Sequence, residues 1–443
     1  MSDTLRTVLL FALMAALFVV VGEVQSWSLS LAILNLCLIS AIMSLGVNIQ
    51  WGYGGLLNVG VMGFAALGGV AAVLVSSRPF PAGWQAGGAG MLLALLVACL
   101  TVAAIVWCIR RLKGRRRTTA VVVLMVAGYA AARQLYIPAA NAIEAVNPAA
   151  QGNLGGLGLP ILLSWVVGGL FAAGAAWLVG KIALGLRSDY LAIATLGISE
   201  IIVAMLKNED WLTRGVKNVA GLPRPVPYEL DIQRSAYFQE LAADWGMSIV
   251  QFSSLFVKLC YAGLFALVLL LVLFLSERAL NSPWGRMMRA IRDNEVSAEA
   301  MGKDVKGRHL QVFVLGSAVV GIAGAMLTTL DGQFTPGSYQ PLRFTFLIWA
   351  MVIVGGAGNN WGAVLGGFVV WFFWIQAEPI GLWAMDFLTS GMAPDSALRA
   401  HLIESAAHMR LMAMGAILLL VLRFTPRGLI PERRSGTGRN GRR

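Results

Sequence analysis

The sequence is poor in the residues from which enzymes usually build active sites. Of its 443 residues only 13% are charged, and it has three histidines and four cysteines. His309, His401 and His408 stand in no metal-ligand or triad pattern, and the phosphate-binding motif G-x-x-x-x-G-K-[ST] does not occur. We therefore expect no enzyme activity, no metal and no cofactor on this chain.

The scarcity of charge goes with an excess of apolar residues, which make up 58% of the chain. A soluble domain carries about 25% charged residues, and a spanning helix needs about 20 mainly apolar ones. The sequence therefore predicts an all-α integral membrane protein, a polytopic bundle of about 10–12 transmembrane or half-membrane helices. The candidate spans are 8–22, 27–49, 56–77, 89–109, 118–137, 159–180, 189–206, 249–276, 310–330, 344–356, 361–377 and 408–423.

The formal charge of +12 is unevenly distributed along the chain, which indicates membrane orientation and no nucleic acid partner. Residues 110–117 hold six basic residues and no acid, 277–309 hold seven basic residues, and the chain from Arg423 holds seven arginines. By contrast, 207–248 has more acids than bases, as has 378–407. The positive-inside rule then predicts cytoplasmic N- and C-termini and an exterior loop at 207–248.

Two glycine-rich runs interrupt apolar stretches. The run GGAGNNWG at Gly355–Gly362 divides residues 344–377, and two short helices with a cytoplasmic turn keep the basic C-terminus inside. The run GYGGLLNVG at Gly52–Gly60 marks a break between two other spans. Such a break lines a cavity or packs within protein when it lies at membrane depth, or it is a plain cytoplasmic hairpin.

The largest cluster of organised charge predicts a cytoplasmic amphipathic helix over 283–302. Asn281 or Ser282 can cap it, Pro283 suits its first turn, and Gly302 suits the position after its end. Its predicted apolar face consists of Trp284, Met288, Ile291, Ala298 and Met301. Such a helix lies on anionic lipid or docks on a protein, and its mixture of acids and bases favours the protein.

The span 189–206 carries polar groups at membrane depth. Thr195, Ser199 and Glu200 either line a solute path or are satisfied locally near the exterior end of a short helix. The spacing leaves both interpretations open for Glu200.

Four stretches, in this order and at these separations, make the chain resemble the permeases of branched-chain amino-acid ABC importers, of the LivM type. They are Gly52–Gly69, then Leu186–Ile202 with Asn218–Pro225, then Ser282–Val305 with Gly321–Met326, and finally Phe344–Gly367.

The resemblance implies a type II importer fold in a bacterial inner membrane. It also implies a second homologous permease, two ATP-binding subunits that hold ATP and Mg²⁺, and an extracytoplasmic substrate-binding protein, besides membrane lipid. Residues 283–302 match the coupling helix, with the candidate contacts Trp284, Arg286, Arg289, Arg292, Asp293, Glu295, Glu299 and Gly302. The path candidates are Asn58, Thr195, Ser199 and Glu200, although Asn58 and Val61 depart from the family's usual residues.

The function implied is import of branched-chain or related hydrophobic amino acids by a membrane domain over 1–431. The polar, glycine-containing composition of residues 432–443 predicts a disordered basic cytoplasmic tail there. Permeases of the same family for urea, short amides or other amino acids are the alternative. An ion-coupled secondary transporter is a second alternative, for which Glu200 is the best-placed carboxylate. A membrane enzyme that acts on lipid is a third, which no cluster of His, Asp and Glu supports.

Overall fold

All twelve predicted apolar stretches form helices in the computed structural model, which describes residues 3–147, 152–392 and 396–432. In chain order the first seven are α1 (Asp3–Val24), α2 (Trp27–Val47), α3 (Val61–Ser76), α4 (Ala89–Arg111), α5 (Gly114–Val146), α6 (Ile161–Ala183) and α7 (Ser188–Asn208). Then follow α8 (Ile249–Asn281), the short α9 (Pro283–Asp293) and α10 (Glu295–Ala300), α11 (Val305–Asp331), α12 (Pro341–Gly355), α13 (Asn360–Leu388) and α14 (Met409–Phe424).

Length and composition divide these helices into three groups. Within the described residues nine are long and apolar enough to cross a membrane, while α3 and α12 are apolar but shorter. The twelfth, α14, follows a short helix, Ala397–Glu404, and the two form a pair bent by 64°. The predicted all-α polytopic bundle is therefore confirmed.

The centre of the bundle is formed by α3, α6 and α11, which pack on one another, and by α2, which packs on α11. Glycines allow their backbones to approach closely. A Cβ added at Gly68 of α3 would overlap the carbonyl of Gly321 on α11, and one at Gly324 would overlap Ala65. Because lipid is as apolar as leucine, such close packing of small residues is what holds membrane helices together.

Two spans continue through a proline well beyond their predicted ends. The predicted end of the fifth span at residue 137 is wrong, because α5 continues through Pro138 to Val146. Ala139, Ala140 and Ile143 are buried beyond the proline, in a small hydrophobic cluster separate from the main core. This packing offsets the helix-breaking cost of a proline, which is about 3 kcal/mol. In the same way α13 continues through Pro379 to Leu388.

The bundle has two chemically different ends. The α9 end, named after its amphipathic helix, holds the breaks at 48–60 and 356–359, the α9–α10 segment and residues 425–432. The opposite end holds a two-stranded sheet in which β1 (Val219–Ala220) pairs antiparallel with β2 (Gln333–Phe334). Segment 207–248 lies at this opposite end and contains the short helices Asp210–Thr213, Glu229–Arg234 and Ala236–Asp244.

Both predicted breaks are present. After α2 the chain forms a π-helix, Asn48–Tyr53, and then runs without regular structure to Gly60. Gly356 follows α12 with a φ of 118°, a conformation that favours glycine, so the chain turns before α13 begins at Asn360. Residues 433–443 lie outside the described residues, so the predicted tail and the domain bounds stay predictions.

Candidate functional site

The predicted amphipathic helix over 283–302 is two helices, and its continuity was wrongly predicted. Asn294 adopts an extended conformation between α9 and α10, and its side-chain oxygen accepts a hydrogen bond of 2.9 Å from the Ser297 N–H. An asparagine that caps a new helix competes with continuation of the old one, which explains the break. Ser282 caps α9 in the same way, and its hydroxyl accepts from the Gly285 N–H at 3.4 Å.

The two helices divide their residues between a packed face and an open face. Met288, Ile291 and Ala298 are buried against the bundle, and the half-buried Trp284 donates a hydrogen bond to Gln311 at the base of α11. Met301, predicted on the apolar face, is 70% exposed because α10 has already ended. The open face carries Arg286, Asp293, Glu295, Val296, Glu299 and Met301, with Gly302 after it.

Arg292, the candidate contact at the end of α9, points into the chain and away from the open face. One guanidinium nitrogen donates to the backbone carbonyl of Gly52 in the π-helix. Another donates to both carboxylate oxygens of Glu432, at 3.0 and 3.3 Å, and to Asp293 at 3.2 Å. Burial alone would lower the pKa of Arg292, but the hydrogen bond and charge of Glu432 outweigh it and raise that pKa, so the group stays charged.

Arg289 is also less available than its sequence position suggests. It is half-buried and donates to the carbonyl of Leu280 at the end of α8, at 3.3 Å. It also lines a cavity of about 630 Å³ at the α9 end, together with Arg6, Tyr53, Glu277 and Asn360.

A buried polar network connects the π-helix to the turn before α13. The Tyr53 hydroxyl donates to the Asn360 side chain at 2.6 Å, and Asn48 donates to both of these residues. Asn360 in turn donates to Glu277 of α8 at 3.0 Å, and the Gly358 N–H donates to Asn48 at 2.9 Å. Unpaired polar groups in a membrane interior are costly, so this network fixes the relative positions of three chain segments.

A second set of hydrogen bonds holds the irregular chain after the π-helix. Asn58 donates to Gln50 at 2.9 Å, and Gln50 donates to Ser317 of α11 at 2.9 Å. The Asn58 carbonyl accepts from the Trp349 indole at 2.9 Å, and its side-chain oxygen accepts from the Gly60 N–H. Every polar group of the Asn58 side chain therefore has a partner within this chain, and Asn58 is 1% exposed.

The path candidates on α7 do not lie together. Thr195 and Ser199 are each 1% exposed, and they pack where α3 crosses α7 at Gly60 and Gly63. The Thr195 hydroxyl accepts from the Val59 N–H at 3.1 Å. Glu200 lies on the other, exposed face of α7 and has no hydrogen bond or ion pair within the described residues.

Several residues of this site were not predicted. Gln50, Glu277, Asn360 and Glu432 hold the breaks in place, yet none belongs to a motif that names its role. A detectable signal was present, since polar side chains in or next to apolar spans need partners. Among the described residues no group of three His, Cys, Asp or Glu could hold a metal ion.

A polytopic helical bundle with broken spans and an amphipathic helix pair at one end has the architecture of a membrane transport subunit. The sequence profile described as "Branched-chain amino acid transport system / permease component" matches residues 119–422. The chain belongs to this permease family.

Curated relatives agree with this assignment. The chain is 26% identical over 276 residues to the "High-affinity branched-chain amino acid transport system permease protein LivM" of Escherichia coli, covering 60% of this chain and 57% of that protein. It is 28% identical over 300 residues to the "Probable branched-chain amino acid transport permease protein LivM" of Methanocaldococcus jannaschii, covering 67% and 73%. A LivH permease of the same archaeon is 30% identical over 103 residues, 23% of this chain and 32% of that protein. No solved structure matches.

Proposed function

We propose that this chain is a transmembrane permease subunit of an ATP-driven importer that moves branched-chain or related hydrophobic amino acids into the cytoplasm. The observation that carries the proposal is the α9–α10 pair, whose inner face is fixed to the bundle and whose outer face is open. The printed names of the LivM relatives support the substrate class.

The α9 end is the cytoplasmic end in this proposal, with both termini on that side of a bacterial inner membrane. The positive-inside rule supports this orientation. Residues 110–117, around the turn between α4 and α5, and the chain from Arg423 together carry 12 of the 27 arginines, and helix order places that turn and the end of α14 at the α9 end. The sheet and short helices of segment 207–248 then face the exterior, where a substrate-binding protein docks.

Two ATP-binding subunits are the partners that fit the open face of α9 and α10, and they would hold ATP and Mg²⁺. That face combines charged residues with two apolar ones, Val296 and Met301, which are 77% and 70% exposed. Exposed apolar residues rimmed by charge are typical of a protein interface.

Arg292 would transmit movement of the α9–α10 pair to the membrane. Its guanidinium holds the end of α9, the π-helix at Gly52 and the C-terminal segment at Glu432 in one set of contacts. The π-helix leads through Gln50 and Asn58 to the contact between α3 and α7 at Thr195. Displacement of α9 by an ATPase therefore acts on the break in the second span, which is the coupling that alternating access requires.

Glu200 is the residue through which the exposed face of α7 would meet a second, homologous permease or the solute path between the two. It lies twelve residues from the start of α7, about 18 Å along the helix and well inside a hydrocarbon core of about 30 Å. A carboxylate at that depth is too costly to face lipid. Tyr190, Ile193 and Gly197 continue the same exposed face.

Glu200→Leu is expected to lower substrate uptake at least about tenfold. The substitution removes the carboxylate that would interact with the second permease or with the solute in the path between the two subunits. The melting temperature of the isolated chain should stay unchanged, since Glu200 has no hydrogen bond or ion pair among the described residues. Ile201→Leu, an exposed neighbour, is the matched control. Normal uptake with Glu200→Leu would place this face in lipid and contradict the assignment.

The whole proposal is tested in vesicles that contain the four-subunit assembly, with the substrate-binding protein outside and ATP on the ATPase side. Uptake of radiolabelled leucine should require both, and Val296→Asp should abolish it by placing a charge in the ATPase interface. Uptake of urea or acetamide instead of leucine would select another substrate of the family. Uptake by this chain alone in an ion gradient would contradict the ATP-driven proposal and favour a secondary transporter.

A further inference from the structure

A crevice of about 780 Å³ separates the α4–α5 hairpin from the side of the bundle. Leu92 and Leu95 of α4, Leu74 of α3 and Met205 of α7 form much of its wall. Leu92, Leu95 and Met205 are each more than half exposed, so the crevice is open toward the surrounding membrane. Its volume falls within the range of about 300–1,000 Å³ that is usual for small-molecule sites.

The hairpin leaves this crevice open because it packs chiefly on itself and on the opposite end of the bundle. α5 packs closely on α4, since a Cβ added at Gly128 of α5 would overlap Thr101 of α4. Contact with the rest of the chain is concentrated near Tyr136, which lies against Trp211 of the short helix Asp210–Thr213. Toward the α9 end the two layers separate, and none of the most apolar 18-residue window of α5 is buried.

One unpaired cation lines the crevice. Arg133 of α5 is exposed and makes no hydrogen bond, ion pair or aromatic contact within the described residues. It lies sixteen residues after Arg117, or about 24 Å along the helix. The hydrocarbon core is about 30 Å thick, and a long arginine side chain can extend over the remaining distance. The guanidinium therefore reaches the headgroup layer at the opposite end of the bundle.

The aromatic residues at the rim of the crevice also fit the lipid headgroup layer. Trp84, Tyr136 and Trp211 line it, and aromatic residues of this kind lie preferentially at headgroup level. The nearby carboxylate of Glu209 accepts hydrogen bonds from Tyr136 and, at 2.8 Å, from the Trp211 indole. Glu209 is thus held by the rim and is not bonded to Arg133, which leaves the positive charge for another anion.

We propose that this crevice is a binding site for one glycerophospholipid of the leaflet at the opposite end. The lipid phosphate would pair with Arg133, and an acyl chain would lie along Leu92 and Leu95. Charge complementarity favours this occupant, because an apolar helix of a partner subunit would fill the crevice but leave the guanidinium without an anion.

The test is native mass spectrometry of the purified full-length chain in detergent, with dioleoylphosphatidylglycerol as the probe. Arg133→Gln is expected to lower retention of this lipid about tenfold, because a charge-assisted contact is lost. The matched control Arg117→Gln, at the other end of the same helix, should retain it as the wild type does. Dioleoylglycerol, which lacks the phosphate, should bind equally to Arg133→Gln and the wild type.

A second variant fills the crevice without touching the charge. Leu95→Trp, at a surface position that tolerates a larger side chain, is expected to lower retention of both lipids. Equal retention of dioleoylphosphatidylglycerol by Arg133→Gln and Arg117→Gln would overturn the proposal. Its complete displacement when the second permease is co-purified would overturn it too, because the crevice would then be a subunit interface.

Discussion

Arg292→Glu is expected to reduce ATP-driven leucine uptake by at least about tenfold while the chain still inserts in the membrane. The substitution places a second carboxylate beside that of Glu432 and removes the guanidinium that donates to the Gly52 carbonyl. Breaking a fully buried ion pair destabilises a protein by about 3–5 kcal/mol. Breaking the pair between Arg292 and Glu432 should cost less, because each side chain is about a fifth exposed.

Two further variants separate the ion pair from the contact with the π-helix. The double exchange Arg292→Glu with Glu432→Arg restores opposite charges, so the melting temperature should recover. Uptake should stay low, because a carboxylate at 292 cannot donate to the Gly52 carbonyl. Arg292→Lys keeps the charge but loses the planar fork that reaches several acceptors at once, and it should give intermediate uptake.

The measurements are leucine uptake by vesicles that hold the assembly and thermal unfolding of the isolated chain. Wild-type uptake by Arg292→Glu at matched expression would contradict a role in coupling. Recovery of both uptake and stability in the double exchange would show that only the ion pair matters, and that the contact with Gly52 does not.

The sequence was sufficient for the elements whose signal is local. Glycine-rich interruptions predicted both breaks, at Gly52–Gly60 and Gly355–Gly362, because glycine allows backbone conformations that end helices. Apolar length predicted all twelve helices. The extension of α5 through Pro138 was not predictable in this way, since it depends on the burial of Ile143 against residues distant in sequence.

In the candidate site, too, local features could be predicted from the sequence and long-range contacts could not. The role of Arg292 depends on Glu432, 140 residues away, and no local pattern relates the two. For α7 the spacing itself held more information than the prediction used. At about 100° per residue Thr195 and Ser199 share a face, whereas Glu200 lies about 140° from Thr195. Helix geometry alone therefore places the hydroxyls of Thr195 and Ser199 on one face and the carboxylate of Glu200 on another. In the structure the first face is packed and the second is exposed.

Gly68→Ala is expected to destabilise the bundle by about 1–3 kcal/mol or more, although alanine is the better helix former by about 1 kcal/mol. The added methyl group would overlap the Gly321 carbonyl on α11, and a backbone atom cannot move aside as a flexible side chain can. α3 and α11 must then separate, which weakens the packing at the centre of the bundle.

Gly174→Ala on α6 is the matched control, since a Cβ there would meet no described atom within 4 Å beyond its chain neighbours and the backbone of its own helix. Propensity alone then decides, and this variant should melt at the same temperature as the wild type or higher. The two glycines should thus respond in opposite directions to one chemical change, measured as the temperature at which the detergent-solubilised chain loses its monodisperse elution peak. A Gly68→Ala chain that melts with the wild type would contradict the close crossing of α3 and α11. Since α3 also carries the contact with Thr195, loosening it should lower uptake as well, and Gly174→Ala should not.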